Sequence, residues 1–153
     1  MRRTAMIPPV LLVAVLLAGC QQQPNGAVPV TTTPPPTAYA QIDAVRTALG
    51  GDWSPLDEVL DARCTVEGGA PDGGRQAVVT TTSEASRDRA AVGDAGQLAF
   101  DALGASGDTV EPFTWSGFRT VVTSTDIAGN RTTVTIESQF AEIRREGPCV
   151  DAG

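Results

Sequence analysis

Three stretches of the chain have apolar residues at the spacing of a helix. The first stretch ends at the glycine pair Gly50–Gly51, and its apolar face consists of Ile42, Val45 and Leu49. A second, short helix is predicted with Ser54 as its N-cap and Pro55 as its first residue, followed by an apolar stripe of Leu56, Val59 and Leu60. The third stretch is the most regular. It predicts a helix from Arg87 to Leu103 with Ser86 as its N-cap, whose buried face comprises Ala91, Ala95, Leu98, Ala99, Ala102 and Leu103.

Strands are predicted where β-branched residues lie between turn signals. Residues 64–67 are extended in pattern, residues 76–83 form a predicted strand, and residues 118–127 and 131–144 form a predicted hairpin around 128–130. In the last strand one face is expected to carry Val134, Ile136, Ser138 and Phe140. The order of elements predicts an α+β domain, a small antiparallel sheet with helices packed on one face. A split βαβ arrangement is the alternative.

The N-terminal region differs from the rest in composition. Arg2 and Arg3 precede an apolar stretch at residues 7–19, which is shorter than the roughly 20 residues of a membrane-spanning helix. The stretch ends in Leu17-Ala18-Gly19-Cys20, and the whole resembles a bacterial lipoprotein signal peptide with its lipobox. The resemblance implies cleavage before Cys20 and a diacylglycerol on its thiol. It places the protein on the outer face of the cell membrane, attached by the lipid.

Three parts of the chain follow from this resemblance. Residues 1–19 are the expected signal peptide, residues 20–37 the lipidated cysteine with a Pro/Thr-rich tether, and residues 38–153 a single folded domain. The tether carries no charge and is rich in proline, which favours an extended spacer. Fully extended, it could reach roughly 50 Å at about 3.1 Å per residue.

Charge and composition exclude several classes of chemistry. The chain has no histidine, and all 11 of its basic residues are arginine against 18 acidic ones. Ser-His-Asp triads, histidine metal sites and lysine Schiff bases are therefore excluded. The acidic balance argues against a nucleic-acid partner. No cofactor or metal is predicted, because the acidic group Asp57, Glu58 and Asp61 is explained by a helix N-terminus and solvated surface.

The remaining cysteines are Cys64 and Cys149. An even pair in an extracytoplasmic chain predicts a single disulfide, with two separate buried thiols as the alternative. Closing so long a loop adds about 4 kcal/mol in the chain-entropy model.

Aromatic residues are the candidate binding residues. Phe113, Trp115 and Phe118 lie within six residues of each other, and Phe113 and Trp115 are expected on one strand face. Exposed rings here could stack on a sugar or grip a partner protein. Burial in the core is the preferred interpretation, because the domain has few other large side chains to bury. The same holds for Trp53.

A second resemblance concerns the folded domain. Its features are an N-terminal helix, a Gly-x-x-Trp element from Gly50 to Trp53, Cys64, an amphipathic helix, and a final strand ending at Gly147-Pro148-Cys149. Over residues 38–150 these resemble the LppA-like lipoproteins of mycobacteria and other actinobacteria, although the segment from Trp53 to Cys64 is shorter here. The resemblance implies the family's fold and location, and a protein without an assigned enzymatic activity.

These observations predict a lipid-anchored envelope lipoprotein that acts as a non-catalytic binding or interaction module. Its expected partners are the membrane, through the lipid, and an envelope protein or glycan. One alternative is a carboxylate-dependent hydrolase of envelope glycans, which needs two acids whose pKa values are pushed apart. Another alternative is a lipid carrier, which needs an apolar cavity.

Overall fold

The computed structural model describes residues 36–65 and 71–150. Cys20, the signal peptide and most of the tether therefore lie outside the described residues. Helix α1 spans Pro36–Leu49 and α2 spans Arg89–Ala105, so α1 begins two residues before the expected start of the domain at Ala38. The strands are β1 Asp57–Thr65, β2 Pro71–Glu84, β3 Thr109–Val110, β4 Thr114–Trp115, β5 Arg119–Thr125, β6 Arg131–Glu137 and β7 Phe140–Glu146.

In the described part of the chain the strands form one sheet in the order β1-β2-β7-β6-β5-β3, with β4 beside β3 on the same edge of β5. Every pair of neighbouring strands is antiparallel. The predicted α+β class, with an antiparallel sheet and helices, is confirmed.

The core lies between one face of the sheet and both helices. Val122, Val134 and Ile143 lie side by side on β5, β6 and β7 and are fully buried. They pack in one cluster with Ile42 of α1 and Val92 of α2. Fully burying a side chain of this size contributes roughly 1.5–3 kcal/mol. No helix among residues 36–65 and 71–150 is long and apolar enough to cross a membrane.

Helix α2 approaches the sheet most closely at Gly96. A Cβ atom on this residue would lie 3.2 Å from the Cβ of Thr120 on β5, and nearer still to its methyl carbon. The hydroxyl of Thr120 donates a hydrogen bond of 3.3 Å to the carbonyl of Val92, one turn earlier in the helix. Because Gly96 lacks a side chain, the helix backbone can rest directly on β5.

The predicted short helix after Trp53 is wrong, because this segment is strand β1. Ser54 does not cap a helix. Its amide donates to the carbonyl of Thr82 at 2.8 Å, and its hydroxyl accepts from the amide of Thr82 at 3.0 Å. These bonds align the chain beside β2, where Val59 pairs with Val78. Tertiary pairing thus overrides the local capping signals.

The predicted long strand 131–144 is also wrong, because it consists of two strands. The chain reverses at Ser138–Gln139 between β6 and β7, a turn with no glycine or proline to mark it. Ser138 and Phe140 therefore do not continue the face of Val134 and Ile136. In α2 the N-cap is Asp88 rather than Ser86, and its carboxylate accepts from the amide of Ala91 at 2.9 Å. Leu98, expected on the buried face, is exposed.

The disulfide between Cys64 and Cys149 is present, with an S–S distance of 2.07 Å across a sequence separation of 85. It joins the edge strand β1 to the chain after β7, and Cys64 is buried. The backbone of Arg75 supports the same end by exchanging two hydrogen bonds with Val150.

The contact between Gly96 and Thr120 predicts opposite effects of one substitution at two positions of α2. Gly96→Ala should lower the free energy of unfolding by about 1–3 kcal/mol, because the added methyl group forces the helix off β5. Gly104→Ala should raise it by up to about 1 kcal/mol, because a Cβ there meets only Val110 at an ordinary 3.9 Å. Urea unfolding of both variants measures the difference. Equal stabilisation by the two substitutions would refute the close packing of α2.

Candidate binding surface

The structure divides the four candidate aromatic residues into two pairs. Trp53 and Phe113 are half-buried and pack against the core. The indole N–H of Trp53 donates to the carbonyl of Gly50 at 3.0 Å, and the ring of Phe113 lies 6.0 Å from that of Phe100. Trp115 and Phe118, in contrast, are 51% and 70% exposed. Burial in the core, the preferred interpretation for these residues, is therefore wrong for Trp115 and Phe118.

Phe118 projects from the turn between β4 and β5. The amide of Ser116 donates to the carbonyl of Arg119 at 3.0 Å and closes a turn whose two central residues are Gly117 and Phe118. Gly117 has φ +86°, whereas Phe118 has no positive φ. Glycine adopts this left-handed φ without steric cost, which explains its place at the first central position of the turn. Phe118 is thus carried by a tight turn between two paired strands.

Trp115 lies along one side of α2. Its indole atoms come within 3.7 Å of the position that a Cβ of Gly93 would occupy. The guanidinium carbon of Arg89 lies 5.5 Å from the centroid of the same ring, and Arg89 is one helical turn before Gly93. Helix α2 therefore supports the indole from one side, and its half-exposed state leaves the other side open to solvent.

Arg89 contacts both the ring and the turn. A Cβ on Gly117 would lie 2.8 Å from its Nε atom, so the guanidinium occupies the space that a side chain at the turn would fill. A cation in the first turn of a helix is opposed by the helix dipole, and the contact with the indole face compensates by a cation–π interaction of about 0.5–1 kcal/mol. We term Trp115, Phe118 and Arg89 the aromatic tip.

Two arginines at this end lack a carboxylate partner. Five other arginines of the described residues form ion pairs, including Arg119 with Glu137 at 3.6 Å. Among the same residues neither Arg87 nor Arg89 forms one. Arg87 donates at 3.5 Å to the carbonyl of Ala85. Of the two, Arg89 is the one in contact with an exposed ring, that of Trp115.

The sheet edge beside the aromatic tip is broken. Strands β3 and β4 both pair with β5, but between Val110 and Thr114 the register of pairing shifts by one residue. The edge therefore has one more residue than β5 over this segment. The extra residue forms a β-bulge in the segment that contains Pro112. A bulge and a proline on an edge strand hinder pairing with a further strand. The backbone of this edge is therefore poorly suited to the addition of a further strand.

A buried charged cluster occupies the opposite end of β5. Arg145 is 3% exposed and donates to Asp126 at 2.6 Å and to the hydroxyl of Thr132 at 2.8 Å. It also donates to the side-chain oxygen of Gln41 on α1. The amide nitrogen of Gln41 in turn donates to Asp108 at 2.6 Å, and Asp108 accepts from Ser124 at 3.0 Å. These bonds attach α1 to the sheet.

Asp126 is the carboxylate at the centre of this cluster. Burial by itself raises the pKa of Asp126, but hydrogen bonds from Asn130, from the amide of Ala128 and from Arg145 outweigh burial and hold the pKa below its ordinary value. A general acid of a glycosidase needs a raised pKa, so Asp126 does not fit that role. Among the described residues no three His, Cys, Asp or Glu side chains come together as metal ligands.

Sequence reasoning missed the supporting residues of the aromatic tip. Gly117 gave a local signal, since Gly-X between two strands predicts a type II′ turn. Gly93 within a helix and Arg89 at its unfavourable start were weaker signals. Neither indicates Trp115 as the contact, because the residues lie far apart in the sequence.

Comparison with known proteins yields no relative. No family model matches the chain, and neither a curated protein nor a solved structure matches it. The candidate binding surface is therefore identified from the exposure of Trp115 and Phe118 and from the contact of Arg89 with Trp115.

The charged cluster predicts a pH-dependent contribution to stability. The folded-state pKa of Asp126 is below its ordinary value of 3.8, so its contribution is complete above the unfolded pKa and is lost as pH falls through the folded pKa. Asp126→Asn should lower the free energy of unfolding by about 3 kcal/mol at pH 7, and the difference from wild type should shrink in acid below pH 3.8. The exposed Asp94→Asn variant is the control. A difference that does not change with pH in urea unfolding would contradict this assignment.

Proposed function

We propose that this protein is a lipid-anchored envelope lipoprotein whose folded domain is a non-catalytic binding module, with the aromatic tip as its binding surface. The observation that carries the proposal is the pair of exposed rings, Trp115 and Phe118, on a tight turn supported by α2. Large aromatic side chains contribute strongly to interfaces, and Trp and Arg are the residue types enriched among their energetic centres.

The fixed geometry of the aromatic tip supports this proposal. Gly117 sets the turn, Gly93 lies against the indole, and Arg89 contacts both Trp115 and Gly117. An indole that is already positioned loses little conformational freedom on binding, and this preserves more of the interaction free energy for affinity.

The location of the aromatic tip is consistent with an anchor at the N-terminus. The turn of Gly117 precedes β5 and Asp126 follows it, so the two ends of this seven-residue strand are about 20 Å apart at roughly 3.3 Å per residue. Gln41, in the first half of α1, contacts the Asp126 end. The chain therefore enters the domain at the end away from the aromatic tip.

Removal of both rings should abolish binding to envelope material. In the full chain carrying Cys20→Ser, which removes the proposed lipid site, Trp115→Ala with Phe118→Ala should reduce co-sedimentation with isolated envelope fractions about tenfold or more. The control is Ile127→Ala, because Ile127 is fully exposed at the opposite end of β5. Melting curves by circular dichroism establish that both variants fold. Equal co-sedimentation of the double variant and the control would refute the proposed surface.

Lipidation has a separate test. Wild-type protein expressed in a bacterial host should partition into the detergent-rich phase of Triton X-114 and incorporate a labelled fatty acid, because two acyl chains anchor a protein stably. Cys20→Ser should move the protein to the aqueous phase without label, and Gln22→Ser should behave as wild type. Retention of Cys20→Ser in the detergent phase would contradict the anchor.

A further inference from the structure

We infer that the aromatic tip binds an acidic saccharide, with the open face of Trp115 against a sugar ring and Arg89 paired to the anionic group. This inference rests on the proposed function and specifies its ligand. It combines three properties of the same end of the domain: a half-exposed indole, a guanidinium without a carboxylate partner among the described residues, and nearby carboxylates that limit where an anion can lie.

The first property is the supported indole. Arg89 and Gly93 are on one side of α2 and contact Trp115, which is 51% exposed. The C–H face of a pyranose ring can pack against the exposed part of the indole, with dispersion and burial of apolar surface as the favourable contributions.

The second property is charge. The protein carries 11 basic against 18 acidic residues, yet Arg89 lies against Trp115 without a carboxylate partner in the described residues. A guanidinium pairs with a carboxylate or phosphate through two parallel hydrogen bonds. A neutral sugar would leave this charge unused, whereas a uronate places a carboxylate on the ring that stacks.

The third property is the limit that nearby acids set on the anion's position. Asp88 caps α2 next to Arg89, and Glu137 pairs with Arg119 across β5 and β6. Both carboxylates repel an anion from the sides of the tip. The favourable location for the anion is therefore beside the guanidinium of Arg89, whose central carbon lies 5.5 Å from the centroid of the indole.

Calorimetric titration of the full chain carrying Cys20→Ser tests this inference directly. The ligand is hexagalacturonate, and its methyl ester is the matched neutral ligand with the same rings. The acid should bind at least tenfold more tightly than the ester, and added salt should weaken this preference. Arg89→Gln should weaken binding of the acid about tenfold, whereas Arg131→Gln, which removes another unpaired and exposed arginine, should leave it unchanged.

Three results would overturn the inference: no binding of hexagalacturonate, equal affinity for acid and ester, or unchanged affinity after Arg89→Gln. Vesicles of phosphatidylglycerol provide the competing anionic surface, and binding to them without binding to the oligosaccharide would identify a membrane ligand instead. The envelope experiment separates the two proposals. If co-sedimentation depends on Trp115 and Phe118 but hexagalacturonate does not bind, only the ligand class is wrong. If co-sedimentation is independent of both rings, the binding surface itself is wrong.

Discussion

The contact of α2 with β4 and β5 is the interaction on which both the core and the aromatic tip depend. Gly96 allows the helix backbone to rest on Thr120, and Gly93, one turn earlier, allows the indole of Trp115 to lie against the same helix. A side chain at Gly96 would separate the layers, whereas a methyl group at Gly93 would lie 3.7 Å from the indole, an ordinary contact distance. Helix α2 therefore packs closely against β5 at Gly96 and against Trp115 at Gly93. The packing that buries Val92 and Val122 therefore also positions the ring that we propose as the binding surface.

The two ends of β5 use charge in opposite ways. At one end Arg145 is buried with its guanidinium hydrogen-bonded to Asp126, Thr132 and Gln41, an arrangement that removes a charge from water only with its partners in place. At the other end Arg89 remains exposed, and an aromatic ring is its contact in the described structure. The satisfied cluster attaches α1 to the sheet. The unsatisfied group retains its hydrogen-bonding capacity, which is what a ligand requires.

Local patterns predicted the elements whose signals are local. The 3.6-residue period located α1 and α2, the β-branched run located β2, and the predicted disulfide between Cys64 and Cys149 is confirmed. The prediction failed where a distant partner decides the structure. Ser54 was predicted as a helix N-cap from its immediate neighbours. Its actual bonds are to Thr82, and nothing in the neighbouring sequence indicates them. The reversal at Ser138–Gln139 lacks any turn residue. The aromatic tip was found only as a cluster of rings, because its exposure depends on where α2 lies.

We propose that the indole of Trp115, supported by α2, is the contact surface. Nuclear magnetic resonance tests this proposal directly. The chain has two tryptophans, and the indole N–H of Trp53 is already donated to Gly50, so its signal is an internal control. On titration of the Cys20→Ser protein with solubilised envelope glycan, the account predicts that the Trp115 indole signal and the amides of Gly117 and Phe118 shift together while the Trp53 signal stays in place. Shifts confined to the Ile127 turn or to the open face of the sheet would contradict it.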